Sequence, residues 1–244
     1  MTGMSAAEGI ESEYDRLVLA IGLDQRPARE RGNLEDATYE RMRQALVDGR
    51  FHPGQTFTIR ALAAVFGTSP MPVRDALKRL VAERTLHLLP NRSVIVPLMS
   101  RDRFLEILDV RLALESMLAM RAARTIGPDA IQAMADDHEQ MCVAVAQGDA
   151  AGYLSSNRRF HFRLYEAANT VVLLPVVETM WAQIGPYLNQ VFGSREKGTE
   201  RAGHHHTEVL RALRRRDGEA AARGIRQDIS DAADSILETN WFSA

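Results

Sequence analysis

The sequence predicts a mainly α-helical fold, with a small strand-bearing N-terminal unit followed by an all-α body. Three observations carry this. Ala, Leu, Arg and Met are plentiful while aromatics make up only 6% of the 244 residues, a balance that favours helix. From residue 101 onward, apolar residues recur at helical spacing between Gly, Pro, Asn and Asp breaks, and no strand signature interrupts them. One stretch, "LHLLPNRSVIV", holds two apolar runs separated by Pro90-Asn91-Arg92-Ser93, the mark of a β-hairpin.

The bulk properties bound the class. With 45% hydrophobic and 25% charged residues, most of the chain has enough apolar surface to fold. Its length allows one large domain or two smaller ones. No apolar run approaches the roughly 18 residues needed to span a bilayer. Glu8, Glu11, Glu13 and Asp15 stand where a signal peptide would be basic. A lone cysteine, Cys142, excludes an internal disulfide and a Cys-based zinc cage. These features place the chain in the cytoplasm, away from membranes. Net charge is −2, but residues 34–98 carry nine Lys/Arg against six Asp/Glu, so a mildly basic head precedes an acidic body.

Residues 1–33 are polar and weakly periodic apart from "YDRLVLAIGL", and read as a mobile arm with at most one short helix. In "EDATYERMRQALVDG", Tyr39, Met42, Leu46 and Val47 share a helical face that Gly49 ends. "FHPGQTFT" reads as a loop or short strand around Pro53 and Gly54. "IRALAAVFG" is a short helix capped by Thr58 and stopped by Gly67. "SPMPVRDALKRL" opens a third helix reaching to about Glu83, and the hairpin follows. Helix, helix, tight turn, helix and hairpin within about 65 residues make a winged helix-turn-helix. Pro97 and Ser100 mark a hinge. Beyond it, helices are expected over about 101–125, 129–147, 149–168, 171–192, 203–216 and 218–240, with Gly185-Pro186 kinking the fourth. Six helices without a strand make a bundle. The expected divisions are the arm, a head over 34–98 and a body over 99–244.

Pro70 and Pro72 fit the first turn of a helix, where a missing N–H has no intrahelical partner. Ser69 is placed to cap that helix. Its amino end, with the positive end of the helix dipole, suits a phosphate oxygen. Arg74 and Lys78 share one face four residues apart, whereas Val73, Ala76, Leu77 and Leu80 form the opposite, core-facing stripe. A solvated basic helix would look the same in isolation. Set between a preceding helix and a following wing, it points to DNA.

These residues resemble the GntR transcriptional regulators, whose N-terminal domain is similar to "LVDGRFHPGQTFTIRALAAVFGTSPMPVRDALKRLVAERTLHLLPNRSVIVP". The remainder looks like an FCD effector-binding and dimerisation domain of the FadR type. The resemblance spans about residues 35–240 and rests on the "PG", "LA", "PVRDAL" and "PNR" elements in order. It implies that Arg74, Ser69, Asn91 and Arg92 contact DNA and that Arg60 meets a backbone phosphate, with Pro70, Met71 and Lys78 on the same surface. Many members carry arginine after the equivalent of Ser69. Pro70 stands there instead, so one base-reading side chain is missing.

In the body, Asn157 and His161 lie four apart in "SNRRFHFRLYEAA" and share a helical face. His206 precedes Asp217 by eleven residues and Asp228 follows it by eleven. In an antiparallel hairpin turning at Asp217-Gly218 those two come side by side. Two imidazoles, a carboxylate and an amide oxygen suit a divalent metal such as Zn²⁺, Ni²⁺ or Mn²⁺, although a satisfied core histidine is the commoner outcome of such spacing. The resemblance implies a metal, because FCD domains that bind one are similar in carrying Asp-x-x-x-His and two later histidines. Here Asn157 replaces that aspartate and Asp228 the last histidine. His204 and His205 are expected at the surface. Arg111 reads either as a surface ion pair with Glu115, four residues on, or, from the resemblance, as the arginine holding an effector carboxylate. Gln183, Tyr187 and Asn189, around the expected kink, are further effector-pocket candidates.

The reading that follows is a ligand-responsive transcription factor, most simply a repressor. It would be a homodimer on a near-palindromic operator, sensing a small carboxylate through a bound divalent metal. The rival is an enzyme, since two histidines and one carboxylate also ligate iron in non-haem oxygenases.

Overall fold

Tyr39, Met42, Ala45, Leu46 and Val47 fall on one side of α2 (Leu34–Val47) and bury it, and with that helix the head begins. The structure is a computed structural model that describes residues 13–18, 21, 34–91, 93–193 and 199–243. A short helix, α1, spans residues 13–18. The Glu13 carboxylate accepts from the Thr58 amide at 2.8 Å, which ties α1 to the head. After α2, Gly49 adopts φ +66 and turns the chain. Strand β1 (Thr56–Thr58) leads into α3 (Ile59–Val65), where the Thr58 hydroxyl accepts from the Ala61 amide at 3.0 Å. Gly67, at φ +61, makes the tight turn into α4 (Pro70–Ala82).

Helix α4 buries Val73, Ala76, Leu77 and Leu80. Covering its three larger apolar side chains contributes roughly 5–9 kcal/mol before the entropy of ordering the helix. Strands β2 (His87–Leu88) and β3 (Ser93–Ile95) form the wing, and β3 lies centrally in an antiparallel sheet of order β1-β3-β2. Phe57 pairs with Val94 in that sheet, both are buried, and the Phe51 ring lies 5.4 Å from that of Phe57. The expected order of elements therefore appears in the head.

The body is α5 (Arg101–Thr125), α6 (Pro128–Gln147), α7 (Ala150–Ala167), α8 (Leu173–Gly193), α9 (Thr199–Arg214) and α10 (Gly218–Leu237). Side-chain caps start three of them: Ser100 accepts from Arg103, Asp149 from Gly152 and Asp217 from Ala220. Helix α5 packs along α10, α6 along α7, and α9 along α10. Helices α9 and α10 end at Arg214 and Leu237, short of the expected 216 and 240, and two helix starts also depart from expectation. Asn169 takes φ +50 and ends α7, so α8 starts at Leu173 rather than 171 and leaves Val171 90% exposed. Helix α9 begins at Thr199, a turn before the expected 203.

Head and body meet across glycines. A Cβ on Gly185 of α8 would overlap the Leu46 carbonyl of α2, and one on Gly49 would lie 2.7 Å from the Gly185 carbonyl. Two charge pairs flank this contact, Arg43 to Glu178 at 2.6 Å and Arg158 to Asp48 at 2.9 Å. At the hinge, the Tyr187 hydroxyl accepts from the Met99 amide at 2.6 Å, while Phe242 stacks on the Tyr187 ring and the Ser243 amide reaches Met99.

Candidate metal centre and nucleic-acid face

Three side chains from three helices converge in the bundle: His161 of α7, His206 of α9 and Asp228 of α10. His161 Nε2 lies 3.1 Å from Asp228 Oδ2, His206 Nε2 lies 3.4 Å from Asp228 Oδ1, and the two Nε2 atoms are 3.4 Å apart. The α9–α10 hairpin turns at Asp217, so residues equidistant from it do meet. Both histidines are 1% exposed and the Asp228 side chain 14%. Asn157 is buried one helical turn before His161 on α7.

The protonation states follow from this packing. Burial pushes His206 down to about 4, against the pull of Asp228, so its ring is neutral near pH 7. Burial resists ionisation of Asp228, but the His206 and His161 rings beside it outweigh that and hold the carboxyl at about 2. A neutral imidazole beside a carboxylate is the donor state that a cation requires.

The next layer fixes His161. Tyr165, one turn along α7, donates its hydroxyl proton to Glu115 Oε2 at 2.5 Å, because an ionised carboxylate can only accept. The Tyr165 oxygen lies 2.9 Å from His161 Nδ1 and is left to accept from it. The hydrogen thereby assigned to Nδ1 leaves the Nε2 lone pair facing Asp228 and His206. Three lone-pair donors aimed at one another are what a bound cation relieves. The donor set therefore fits a divalent metal.

Glu115 is fully buried and accepts from Arg111 Nε at 2.6 Å and Trp181 Nε1 at 3.0 Å as well as from Tyr165. The Arg111–Glu115 pair is thus buried rather than superficial. It occupies the guanidinium that was expected to hold an effector carboxylate. The cavity beside Arg111, lined by Phe104, Leu108, Leu188 and Ala232 among others, measures about 10 Å³, room for roughly one water.

The remaining effector candidates lie elsewhere. Gln183 accepts from Arg103 Nη2 at 2.7 Å and donates to the Glu83 carbonyl at 3.3 Å. Tyr187 holds the hinge at Met99, and Asn189 lines a groove of about 690 Å³ shared with Asp48, Arg50, His52 and Gln55 of the head. Gln183 and Tyr187 thus sit at the junction of head and body, and Asn189 beside the head. His205 is also corrected: it is largely covered and pairs with Asp231 at 2.9 Å. The His204 side chain lies outside the described residues.

On the head, Arg60, Ser69, Pro70, Met71, Arg74, Lys78 and Asn91 are all exposed, and Arg92 lies outside the described residues. Lys78 pairs with Asp75 at 2.7 Å. Asn91 Oδ1 accepts from the Ser93 amide at 3.0 Å and orders the wing tip. Ser69 occupies the cap position of α4 but makes no side-chain capping bond. The third residue of the helix, whose amide such a hydroxyl favours, is Pro72. Pro70 and Pro72 together strip the first turn of two amides, so the expected phosphate cradle reduces to Ser69 and Met71 N–H. Sequence reasoning missed Tyr165 and Trp181; the spacing of Tyr165, four residues after His161, was the available signal.

Comparison with known proteins places this architecture. Residues 34–96 match the bacterial regulatory proteins of the gntR family, and residues 106–231, over half the chain, match the FCD domain. The HTH-type transcriptional regulator McbR of Escherichia coli is 28% identical over 180 residues, covering 73% of this chain and 81% of that protein. The gluconate operon transcriptional repressor of Bacillus subtilis is 24% identical over 210 residues, covering 83% and 84%. Among solved structures, E. coli McbR/YncC superposes with a TM-score of 0.80 at 24% identity, covering 85% of this chain and 98% of that one. A GntR regulator from Rhodococcus sp. RHA1 gives 0.68 at 20% identity, covering 83% and 97%. These relatives are regulators of transcription, which leaves the two-histidine enzyme reading without support. With a GntR head and an FCD body, the chain belongs to the GntR family of transcriptional regulators.

Proposed function

We propose that this regulator is a repressor whose body takes up a divalent cation on His161, His206 and Asp228, with Asn157 as a fourth donor, and responds there to a small organic acid. The single observation that carries the reading is the convergence of two buried histidines and a largely covered carboxylate, with His206 held neutral and Asp228 ionised. A cation held by three or four protein donors keeps positions for a carboxylate. The identity of the cation among Zn²⁺, Ni²⁺ and Mn²⁺ is set by its affinity for this mixed N/O set.

Helix α8 supplies the path to DNA. Trp181 bonds Glu115 and lies with its ring 5.2 Å from that of His161, while Gly185 and Tyr187, within two turns, hold the head. An acid that binds one arrangement of α8 better than another shifts DNA affinity by that difference. In the cytoplasm, a homodimer would set two α4 helices in successive major grooves, about 34 Å apart, on a near-palindromic operator. Lys78 and Arg60 would meet phosphates, and Arg74 a base edge.

The test combines elemental analysis of the purified chain with thermal shifts on chelation and on adding Zn²⁺, Ni²⁺ or Mn²⁺, then with a panel of carboxylates. Stoichiometric metal that is lost in the His161→Ala variant supports the reading. Metal content that is negligible, or unchanged by His161→Ala, sinks it.

A further inference from the structure

The body grips the head at α2 and again at the end of α4. Arg43 to Glu178, Arg158 to Asp48 and the crossing of Gly49 with Gly185 act on α2 and the turn after it. Two further hydrogen bonds reach the helix offered to DNA. Gln183 of α8 donates from Nε2 to the Glu83 carbonyl at 3.3 Å, and Arg103 of α5 donates from Nη2 to the Arg84 carbonyl at 3.1 Å. The same Arg103 nitrogen donates to Gln183 Oε1 at 2.7 Å, which joins the two side chains into one unit.

The local sequence prepares this end of α4. Glu83 is the cap residue, and the last carbonyls of a helix find no amide within it. Arg84 follows at φ +56, in the left-handed region that a residue with a β-carbon rarely enters. The helix closes with Arg84 N–H on Val81 and Thr85 N–H on Leu80, and the carbonyls of 83 and 84 go to the body. A guanidinium there also suits the negative end of the α4 dipole. On the head side, the Tyr39 hydroxyl donates to Glu83 Oε1 at 2.7 Å, so the same residue is fixed from α2. On the body side, the Ser100 hydroxyl accepts from the Arg103 amide and starts α5 just past the hinge.

We propose that Arg103 and Gln183 are positioning residues for DNA binding: they fix α4 relative to the body and so set the half-site spacing that a dimer accepts. This rests on the dimeric, operator-binding reading above and adds the residues that carry the spacing. Arg74 and its neighbours address one half-site however the head is held. Engaging both half-sites at once demands that each α4 stand where the duplex puts its groove. One base pair more or less moves a half-site by about 3.4 Å and about a tenth of a turn. A firmly held α4 rejects that displacement, and a loosened one tolerates it. Trp181, two residues before Gln183, bonds Glu115 and lies beside His161, so one turn of α8 touches both the candidate metal centre's surroundings and the end of α4.

The test uses the full chain and a duplex that it selects from a random pool. That duplex is rebuilt as a single half-site, at the selected spacing, and with one base pair added or removed between half-sites. Wild type should bind the selected spacing about tenfold or more tightly than the altered ones. Arg103→Ala and Gln183→Ala should each narrow that ratio by about two- to tenfold, the worth of one or two lost hydrogen bonds, with half-site affinity unchanged. Both side chains are partly exposed, so the thermal melt should stay in place. Arg103→Lys, which keeps the cation without the planar fork, should fall between and decides the matter if an alanine variant melts early. A ratio unmoved in these variants overturns the proposal and leaves the operator-binding dimer standing. Half-site affinity lost at an unchanged melt overturns it too, because the pair would then act on base reading itself. A pool that yields no paired half-sites overturns the dimer reading and this proposal with it.

Discussion

The Tyr165 hydroxyl donates to the Glu115 carboxylate at 2.5 Å, and that bond selects which nitrogen of His161 is left to face Asp228. Tyr165→Phe removes the acceptor for His161 Nδ1–H while keeping the ring in its fully buried slot. Outer-layer partners of ligating histidines are typically worth 10–100-fold in metal affinity. The expected outcome is a loss of about that size in Zn²⁺ affinity, measured by competition with a chromophoric chelator. A stability cost of about 1–3 kcal/mol should accompany it, from the groups left short of a partner. Unaltered affinity would remove Tyr165 from the site.

Operator binding should separate two classes of head residue. Arg74→Ala should abolish the specific gel shift while the thermal melt stays put, since Arg74 is exposed and outside the core stripe of α4. Arg60→Ala should weaken specific and non-specific duplexes alike and lower the salt slope by about one. Equal behaviour of the two variants on both duplexes would contradict these roles.

Acid should destabilise the metal-free protein. The folded His206 titrates at about 4, below its ordinary 6.5, so the unfolded chain takes up a proton first as pH falls. Stability held above about pH 6.5 is then lost progressively toward pH 4. Asp228, held at about 2 from 3.8, adds a further loss below that window. His138, also lowered by burial, acts in the same direction, so His206→Gln should flatten the slope rather than remove it. Urea midpoints of the chelator-treated protein at pH 7, 5.5 and 4.5 measure this. A wild-type midpoint that does not move across that range would be at odds with a neutral buried His206.

Gly185→Ala should loosen the head from the body without unfolding either. The added methyl overlaps the Leu46 carbonyl, a backbone atom that cannot swing aside. Overpacking of this kind costs about 1–3 kcal/mol. Faster proteolysis between Pro97 and Ser100, with the secondary structure retained by circular dichroism, is the expected readout. Proteolysis at the wild-type rate would mean that the contact tolerates more than its geometry allows.

Much of this was legible in the chain itself. The apolar stripe of α4 and the wing motif gave the head, because each element there has a clean local period. The meeting of His206 with Asp228 followed from their equal distance to the Asp217-Gly218 turn. What escaped depended on docking rather than on period. Helix α8 is apolar nearly all round and carries Pro186, so nothing local distinguishes the side that meets α2 from the side that meets α7. The sequence therefore does not show that Gln183 and Tyr187 bond at the junction with the head while Asn189 lines the groove beside it. Ser69 was legible as a cap position but not as an idle hydroxyl, since its amide partner is lost only when Pro72 lands third in the helix.

The glycine-on-glycine crossing of Gly49 and Gly185 bears on how such chains are recombined. A head borrowed from another regulator would arrive with its own residue at the position of Gly49, and any side chain there would collide with α8. DNA-reading and sensing halves are then not freely interchangeable cassettes. A working chimera would have to inherit both glycines together, as a matched lock across the graft.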